Sequence, residues 1–381
     1  MSPNYFLSED QNAIAEMARD FADTKIAPFA LEWDENKHFP VETLREAASL
    51  GLAAIYTSED FGGSGLSRMD AVLIFEALAT GCPTISAFLS IHNMCCWMID
   101  SFGTPEQRAA YLPDMVTMAK IASYCLTEPG AGSDAGALKT KAVREGDHYI
   151  VNGSKQFISG AGTSEVYIVM VRTGEDGPKG ISTLIIDKNT PGLSFGANEK
   201  KMGWNAQPTR AVNFDNVRVP VANRLGDEGQ GFKIAMSGLN GGRLNIGACS
   251  LGGAQSALDK SIAYLKERKG FGKKLIDFQA LQFRIAEMAA DLEGARLLLH
   301  RAAQALDAKV PEATRLCAMA KLKATDTGFD VANKALQLLG GYGYLADYGV
   351  EKIVRDLRVH QILEGTNEIM RLIIARSLIE D

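Results

Sequence analysis

Apolar positions along the chain change their period twice. From Ser8 to about Lys120 they recur at helical spacing: Ile14, Met17, Ala18, Phe21 and Ala22 share one face before Pro28 ends the run. The same spacing predicts helices over residues 69–79 and 105–118. Ser8-Glu9-Asp10-Gln11 has the spacing of a capping box, the Ser8 hydroxyl serving an early amide and Gln11 reaching back. Gly62-Gly63-Ser64-Gly65 reads as a loop, without the glycine spacing of a dinucleotide fingerprint.

From about Ile121 to Ala222 the pattern shortens to strand-like runs divided by Gly, Asn and Asp. Examples are Ser123-Tyr124-Cys125-Leu126-Thr127, His148-Tyr149-Ile150-Val151, Val166-Tyr167-Ile168-Val169-Met170-Val171 and Ser182-Thr183-Leu184-Ile185-Ile186. Asn152-Gly153 carries a hairpin signal. No long helices alternate with these runs, so an antiparallel barrel or sandwich fits better than a Rossmann unit. From about Gly229 helical spacing returns, with Phe283, Ile285, Met288, Leu292, Ala295 and Leu299 on one face and Met319, Leu322, Ala332 and Leu336 on another. The expectation is an α+β chain of three domains. Residues 1–120 form an N-terminal all-α domain, 121–228 a middle antiparallel β-barrel or sandwich, and 229–381 a C-terminal helical bundle.

Composition narrows the function. With 46% hydrophobic and 23% charged residues the chain is ordinary for a soluble globular protein, and a net charge of −6 argues against a nucleic-acid partner. Lys266-Glu267-Arg268-Lys269 and Lys273-Lys274 read as solvated charge. Six cysteines dispersed over 381 residues imply thiols in a reducing compartment, not a disulfide framework. His92, Cys95 and Cys96 lack a second ligand cluster, so no metal is expected. No apolar run approaches the ~20 residues needed to span a bilayer, and the first residues hold no leader. These features predict a soluble cytoplasmic protein of bacterial type, or a matrix protein if a mitochondrial transit peptide has been removed.

Three segments carry candidate chemistry. Thr127-Glu128-Pro129-Gly130-Ala131-Gly132-Ser133-Asp134 follows a strand; its small residues let backbone amides approach a ligand, though alone it reads as a turn. Phe157-Ile158-Ser159-Gly160-Ala161-Gly162 offers an aromatic and a hydroxyl beside a planar ligand, or is plain strand and turn. In Leu363-Glu364-Gly365-Thr366-Asn367-Glu368, a glutamate beside glycine precedes a helix. It suits a general base aimed into a cleft, or a solvated helix-start residue.

Together these segments resemble the acyl-CoA dehydrogenase family. Tyr124 to Asp134 is similar to its first signature and Gln361 to Arg371 to its catalytic signature, while Arg268-Lys269-Gly270-Phe271-Gly272, Phe278-Gln279 and Gly340-Gly341-Tyr342-Gly343 match further family segments in order. His92-Asn93-Met94, Gly203-Trp204-Asn205-Ala206-Gln207-Pro208-Thr209-Arg210 and Leu239-Asn240-Gly241-Gly242-Arg243 resemble the branch acting on isobutyryl-CoA, an intermediate of valine breakdown.

The resemblance implies FAD as cofactor and Glu364 as the base that takes the α-proton of an acyl-CoA. The thioester oxygen is then held by the amide of the base and a ribityl hydroxyl of FAD. Tyr124, Cys125, Leu126, Thr127, Glu128, Pro129, Gly130, Ala131, Gly132 and Ser133 would line the flavin with Phe157, Ile158 and Ser159. Arg268, Phe271, Phe278, Gln279, Leu339, Gly340, Gly341, Tyr342 and Gly343 would hold pyrophosphate and adenine from a neighbouring subunit, and Thr366, Asn367 and Glu368 complete the FAD site. Ser133, Asn240, Gly241, Gly242, Arg243, Gly365 and Arg376 would contact the substrate. Electrons would leave to an electron-transferring flavoprotein from a homotetramer built as a dimer of dimers.

Gly270 and Leu339 depart from the family pattern on the adenine side. In isovaleryl-type relatives a Glu precedes the Arg of the segment matching 239–244; here Gly242 precedes Arg243, so Glu364 has no rival base. The alternatives are a straight-chain or 2-methyl-branched acyl-CoA dehydrogenase, an acyl-CoA oxidase, and a non-catalytic CoA-binding protein.

Overall fold

The computed structural model describes residues 7–380. Among these the chain opens with helices α1 (Glu9–Phe21), α2 (Ala30–Asn36), α3 (Val41–Ser49), α4 (Arg68–Gly81), α5 (Pro83–Phe102) and α6 (Pro105–Val116). The capping box forms as expected: Ser8 Oγ accepts from the Gln11 amide at 3.1 Å, and Gln11 Oε1 accepts from the Ser8 amide at 3.2 Å. Ser67 with Asp70 and Thr104 with Gln107 start α4 and α6 in the same way. Pro28 does not end the helical path. After α1 the chain widens into a π turn over Ala22–Ile26, then tightens into a 3-10 turn over Ala27–Phe29 that leads into α2. Pro28 stands at the start of that tight turn, where its missing N–H removes no helical bond.

The middle segment is one sheet of β1 (Ala122–Cys125), β2 (Lys141–Glu145), β3 (His148–Ser159), β4 (Val166–Arg172), β5 (Ile181–Asp187), β6 (Leu193–Phe195), β7 (Thr209–Pro220) and β8 (Arg224–Leu225). Its order is β6-β7-β3-β2-β4-β5-β8, with β1 also beside β4. It is not wholly antiparallel, since β1 and β2 each run parallel to β4. The unbroken apolar run of β4 follows from burial on both faces. Tyr167, Val169 and Val171 pack with Tyr149, Val151 and Phe214 inside the sheet, while Val166, Ile168 and Met170 pack against Met94, Met98, Leu112 and Ile234 of the helices.

Asn152-Gly153 is not a hairpin turn. The turn is Gly146-Asp147, closed by the Glu145–His148 pair, with Gly146 at φ +63°. Gly153 sits inside β3 at a register shift, where a Cβ would lie 2.6 Å from Thr140 Oγ1. Glycine there answers to a close cross-strand approach, which a dipeptide signal cannot separate from a turn.

The chain continues through α7 (Gly231–Glu267), a short ribbon of β9 (Lys269–Gly270) and β10 (Lys273–Lys274), α8 (Gln279–Asp307), α9 (Ala313–Leu338), α10 (Val350–Arg358) and α11 (Asn367–Glu380). These helices share one core with those at the N-terminus: Phe75 and Leu78 of α4 pack with Leu251 and Ala254 of α7, Leu299 of α8 and Ala324 of α9. Met288, Leu292, Ala295 and Leu299 are buried as expected, but Phe283 is 57% exposed because the apolar stripe of α8 outruns that core.

His92 is a satisfied core histidine, its Nε2 against the Met115 carbonyl at 2.9 Å and its Nδ1 accepting from the Ala122 amide at 3.0 Å. Among the described residues no helix is long and apolar enough to cross a membrane, and no cluster could hold a metal.

Candidate active site

A cavity of about 1220 Å³ opens where the sheet meets α5, α7 and the turn before α11. Its wall combines Leu126, Thr127 and Ser133 after β1 with Phe157, Ile158 and Ser159 at the end of β3. Met94 of α5, Met236, Leu239 and Arg243 of α7, and Glu364, Gly365 and Thr366 complete it. The volume exceeds that of an ordinary small-ligand pocket, roughly 300–1,000 Å³, and leaves room for two ligands side by side.

The turn at 364–366 presents the candidate base. Glu364 and Gly365 both lie in the left-handed region, at φ +57° and +88°. For a glutamate this backbone is strained by roughly 1–3 kcal/mol and persists only when its surroundings hold it. Arg243 Nε donates to the Glu364 carbonyl at 3.3 Å, Lys321 Nζ donates to the Gly365 carbonyl at 2.9 Å, and the Thr366 hydroxyl accepts from the Ile369 amide at 3.3 Å. Gly242 makes room: a Cβ there would stand 2.5 Å from Glu364 Oε2. The Glu364 amide has no acceptor among the described residues.

Glu364 Oε2 is sealed from solvent without a hydrogen-bond partner. Burial pushes its carboxyl up to about 7, against the opposing pull of Arg243 and Lys321. The Tyr124 hydroxyl is a second buried orphan on the same cavity, raised well above its ordinary range by burial and then by Glu364. Two unpartnered polar groups facing one space are the mark of a site whose partners arrive with a ligand.

Phe157, at φ +60°, also lines the cavity and is 63% exposed. The Ser159 hydroxyl accepts from Gln207 Nε2 at 3.4 Å, and the Thr209 hydroxyl accepts from Gln207 Nε2 at 3.0 Å and Lys201 Nζ at 2.8 Å. With its lone pairs engaged, the Thr209 hydroxyl is left to donate. An aromatic face, hydroxyl donors and the small residues Gly132 and Ser133 fit a large planar cofactor with polar edges.

Several residues expected at the ligand do not line the cavity of this chain. Cys125 points into the sheet core, and Ala131 packs into the helix–sheet core. Glu128 is a strut: its carboxylate pairs with buried Lys155 at 2.8 Å and accepts from the Lys139 and Thr140 amides, fixing the loop from behind. Pro129 and Gly130 are exposed and do not line the cavity. Asn367 is buried in bonds with Lys321, Thr325 and Asp326, and Glu368 pairs with Arg371 on the surface. Asn240 accepts from Arg243 at 2.8 Å and donates to Thr314, Gly241 packs against Arg68, and Arg376 is exposed on α11; none of the three lines the cavity.

The predicted adenine-side residues form a separate surface group. The Arg268 guanidinium lies 5.4 Å from the Tyr342 ring centre, and Phe271 meets Phe278 edge-on at 6.1 Å. Phe271 is 97% exposed, Gln279, Gly340 and Gly341 are exposed, and Leu339 and Gly343 are buried beneath. A single chain does not bring this group to the cavity.

The sequence reading missed Lys321, Gln207 and Lys201. Lys321 had a signal, a cation between Ala320 and Leu322 at a buried helical position. Gln207 stood inside a motif without an assigned role and Lys201 had no signal, because only the fold sets them behind Ser159 and Thr209.

Three family models match the chain: the N-terminal domain of acyl-CoA dehydrogenase over residues 8–119, its middle domain over 123–217 and its C-terminal domain over 229–379. The mitochondrial isobutyryl-CoA dehydrogenase of Dictyostelium discoideum is 60% identical over 381 residues, all of this chain and 92% of that protein. The butyryl-CoA dehydrogenase of Megasphaera elsdenii superposes with a TM-score of 0.95 at 37% identity, covering all of both chains. A chain solved in work on the electron transferring flavoprotein of Acidaminococcus fermentans has a TM-score of 0.96 at 39% identity, again over all of both chains.

Proposed function

The chain belongs to the acyl-CoA dehydrogenase family, and on that premise we propose that it oxidises isobutyryl-CoA to methacrylyl-CoA, a step of valine degradation, with Glu364 as base. The observation that carries the reading is the Glu364 carboxylate, unpartnered inside a cavity wide enough for cofactor and acyl chain together. The identity to the Dictyostelium discoideum isobutyryl-CoA dehydrogenase supports the acyl group.

The cofactor is FAD, which when bound accepts the β-hydride of the substrate. Thr127, Ser133, Ser159 and Thr209, which line the cavity, would supply polar contacts for it, and Phe157 an aromatic face. The remaining work falls to the polypeptide. Glu364 takes the α-proton onto its carboxylate; a base whose pKa is held near 7 is partly ionised at neutral pH and far stronger than an ordinary carboxylate. Its own free amide suits the thioester oxygen, where negative charge develops as the proton leaves. Arg243 anchors the turn through its carbonyl, not through the carboxylate, so the base stays unpaired. Met94, Met236 and Leu239 line the cavity with apolar surface that disfavours water beside the carboxyl.

We assign reoxidation to an electron-transferring flavoprotein, a reading supported by the similar chain from the Acidaminococcus fermentans study. A neighbouring subunit of a homotetramer completes the FAD site with Arg268, Phe271 and Tyr342; their exposure and distance from the cavity support this. The buried free thiols and the mitochondrial relative favour a reducing compartment, the matrix or a bacterial cytoplasm.

The test is anaerobic bleaching of the flavin by a panel of short acyl-CoA thioesters. Isobutyryl-CoA is expected to give the highest kcat/KM, with 2-methylbutyryl- or butyryl-CoA next and isovaleryl-CoA poor. One methylene is worth only about 1–3 kcal/mol in an apolar pocket, so the order is graded. A straight-chain substrate preferred by about tenfold or more would overturn the branched-chain assignment and leave the dehydrogenase chemistry standing.

A further inference from the structure

Lys321 of α9 has no exposed surface, yet its ammonium pairs with no carboxylate at salt-bridge distance among the described residues. Its Nζ donates instead to the Gly365 carbonyl at 2.9 Å and to Asn367 Oδ1 at 2.8 Å. Those acceptors stand on either side of Thr366, just after Glu364. A buried cation satisfied only by neutral acceptors is an expensive arrangement for packing alone. Here it spans from α9 to a turn in which a glutamate and a glycine are consecutively left-handed. Arg243 grips that turn from α7 through the Glu364 carbonyl, and Lys321 grips the next carbonyl from α9.

Resting on the reading of Glu364 as base, we propose that Lys321 is a positioning residue for α-proton abstraction. It holds the turn that aims the carboxylate and supplies a buried positive charge that favours the ionised form. The charged and titratable groups around the pair are few. Glu364 faces Arg243 from α7, Lys321 from α9, Tyr124 from β1 and Cys95 from α5. Lys321 faces Glu364, Arg243, Asp326 on its own helix, Glu368 on α11 and His360 before the turn. Burial lowers Lys321 to about 8 and raises Glu364 to about 7, while each acts to offset the other's burial. The sign is therefore defined: removing the ammonium moves Glu364 further up.

The experiment is the anaerobic rate of flavin reduction by isobutyryl-CoA in the holoenzyme from about pH 6 to about pH 9, for wild type, Lys321→Met and Lys321→Arg. Lys321→Met is expected to shift the rising limb upward by about one pH unit, so that reduction is about tenfold slower on that limb and the deficit narrows at high pH. Lys321→Arg, which keeps the cation, should leave the limb near its wild-type position. FAD content and the unfolding midpoint are measured alongside. If Lys321→Met fails to hold FAD, Lys321→Gln, which keeps an N–H donor without the charge, is read in its place. An unmoved limb, or an equal loss at every pH, means that Lys321 only packs and overturns the proposal. Glu364→Gln is run in parallel: flavin reduction surviving in it would remove Glu364 as base, whatever Lys321 does.

Discussion

The cavity around Glu364 and the surface group around Arg268 both combine cations with an aromatic on left-handed backbone, but their deficits differ. In the cavity, Glu364 and Tyr124 each bury a polar atom without a partner. On the surface, Arg268 is already stacked near Tyr342, and what is unsatisfied is apolar area: Phe271 is 97% exposed on the ribbon of β9 and β10. A small molecule can supply hydrogen bonds, whereas covering exposed rings takes a ligand ring or a second protein surface. Three site residues share the left-handed region, Phe157, Phe271 and Glu364 at φ +60°, +51° and +57°, so strain marks both regions but does not tell them apart. The kind of missing partner does.

Substitutions inside the cavity are therefore expected to change the rate per bound FAD, and those on the surface group to change how much FAD is bound. The largest effect belongs to Glu364→Gln, which keeps size and hydrogen bonding but removes the base. Flavin reduction by isobutyryl-CoA should fall by roughly 10²–10⁴-fold in anaerobic rapid mixing, with FAD and acyl-CoA still bound. Gly242→Ala comes next. Its methyl would lie 2.5 Å from Glu364 Oε2 and must push the carboxylate aside, so reduction should drop on the order of 10²-fold with FAD content unchanged. A wild-type rate in that variant would show that the turn yields freely.

Arg268→Ala probes the other region. FAD retention should weaken by about tenfold and become dependent on protein concentration, while the reduction rate per bound flavin stays near wild type. Light scattering beside flavin absorbance checks this, and a monomer saturated with FAD would dissolve the contrast between the two regions.

The smallest effect is on stability. Glu364 is raised from 4.5 to about 7 in the folded chain, so between those values the native state holds a proton that the unfolded state has released. Stability therefore falls as pH rises through that window, and Glu364→Gln should relieve the cost, raising stability by about 1–3 kcal/mol near pH 8 and by little near pH 4. Denaturant midpoints at the two pH values decide it.

Much of this was legible before any coordinates. The capping box at Ser8, the change from helical to strand-like pattern and back, and the apolar run of β4 are local or periodic signals, and each reappears in the structure. The turn at Glu364 stood out through its motif, and Gly242 through the glutamate it lacks. The errors have a common origin. Asn152-Gly153 read as a turn because the approach of Thr140 to Gly153 is a contact between strands. The part Glu128 plays as a strut stayed hidden because Lys155, its partner across 27 residues, is invisible to a motif. The parallel pairing of β1 and β2 with β4 depends on crossovers that leave no local trace.

The amino-acid order by itself determined the succession of helical, strand-rich and helical regions and which motifs are candidates for chemistry, because those properties belong to neighbours in the chain. Only the tertiary structure decided which polar groups are satisfied. Glu364 meets Arg243 from 121 residues away, Lys321 reaches Gly365 across 44, and Gln207 backs Ser159 across 48. A carboxyl becomes a base near neutral pH through burial and the charges packed around it, and burial is a property of the assembled fold, not of any segment.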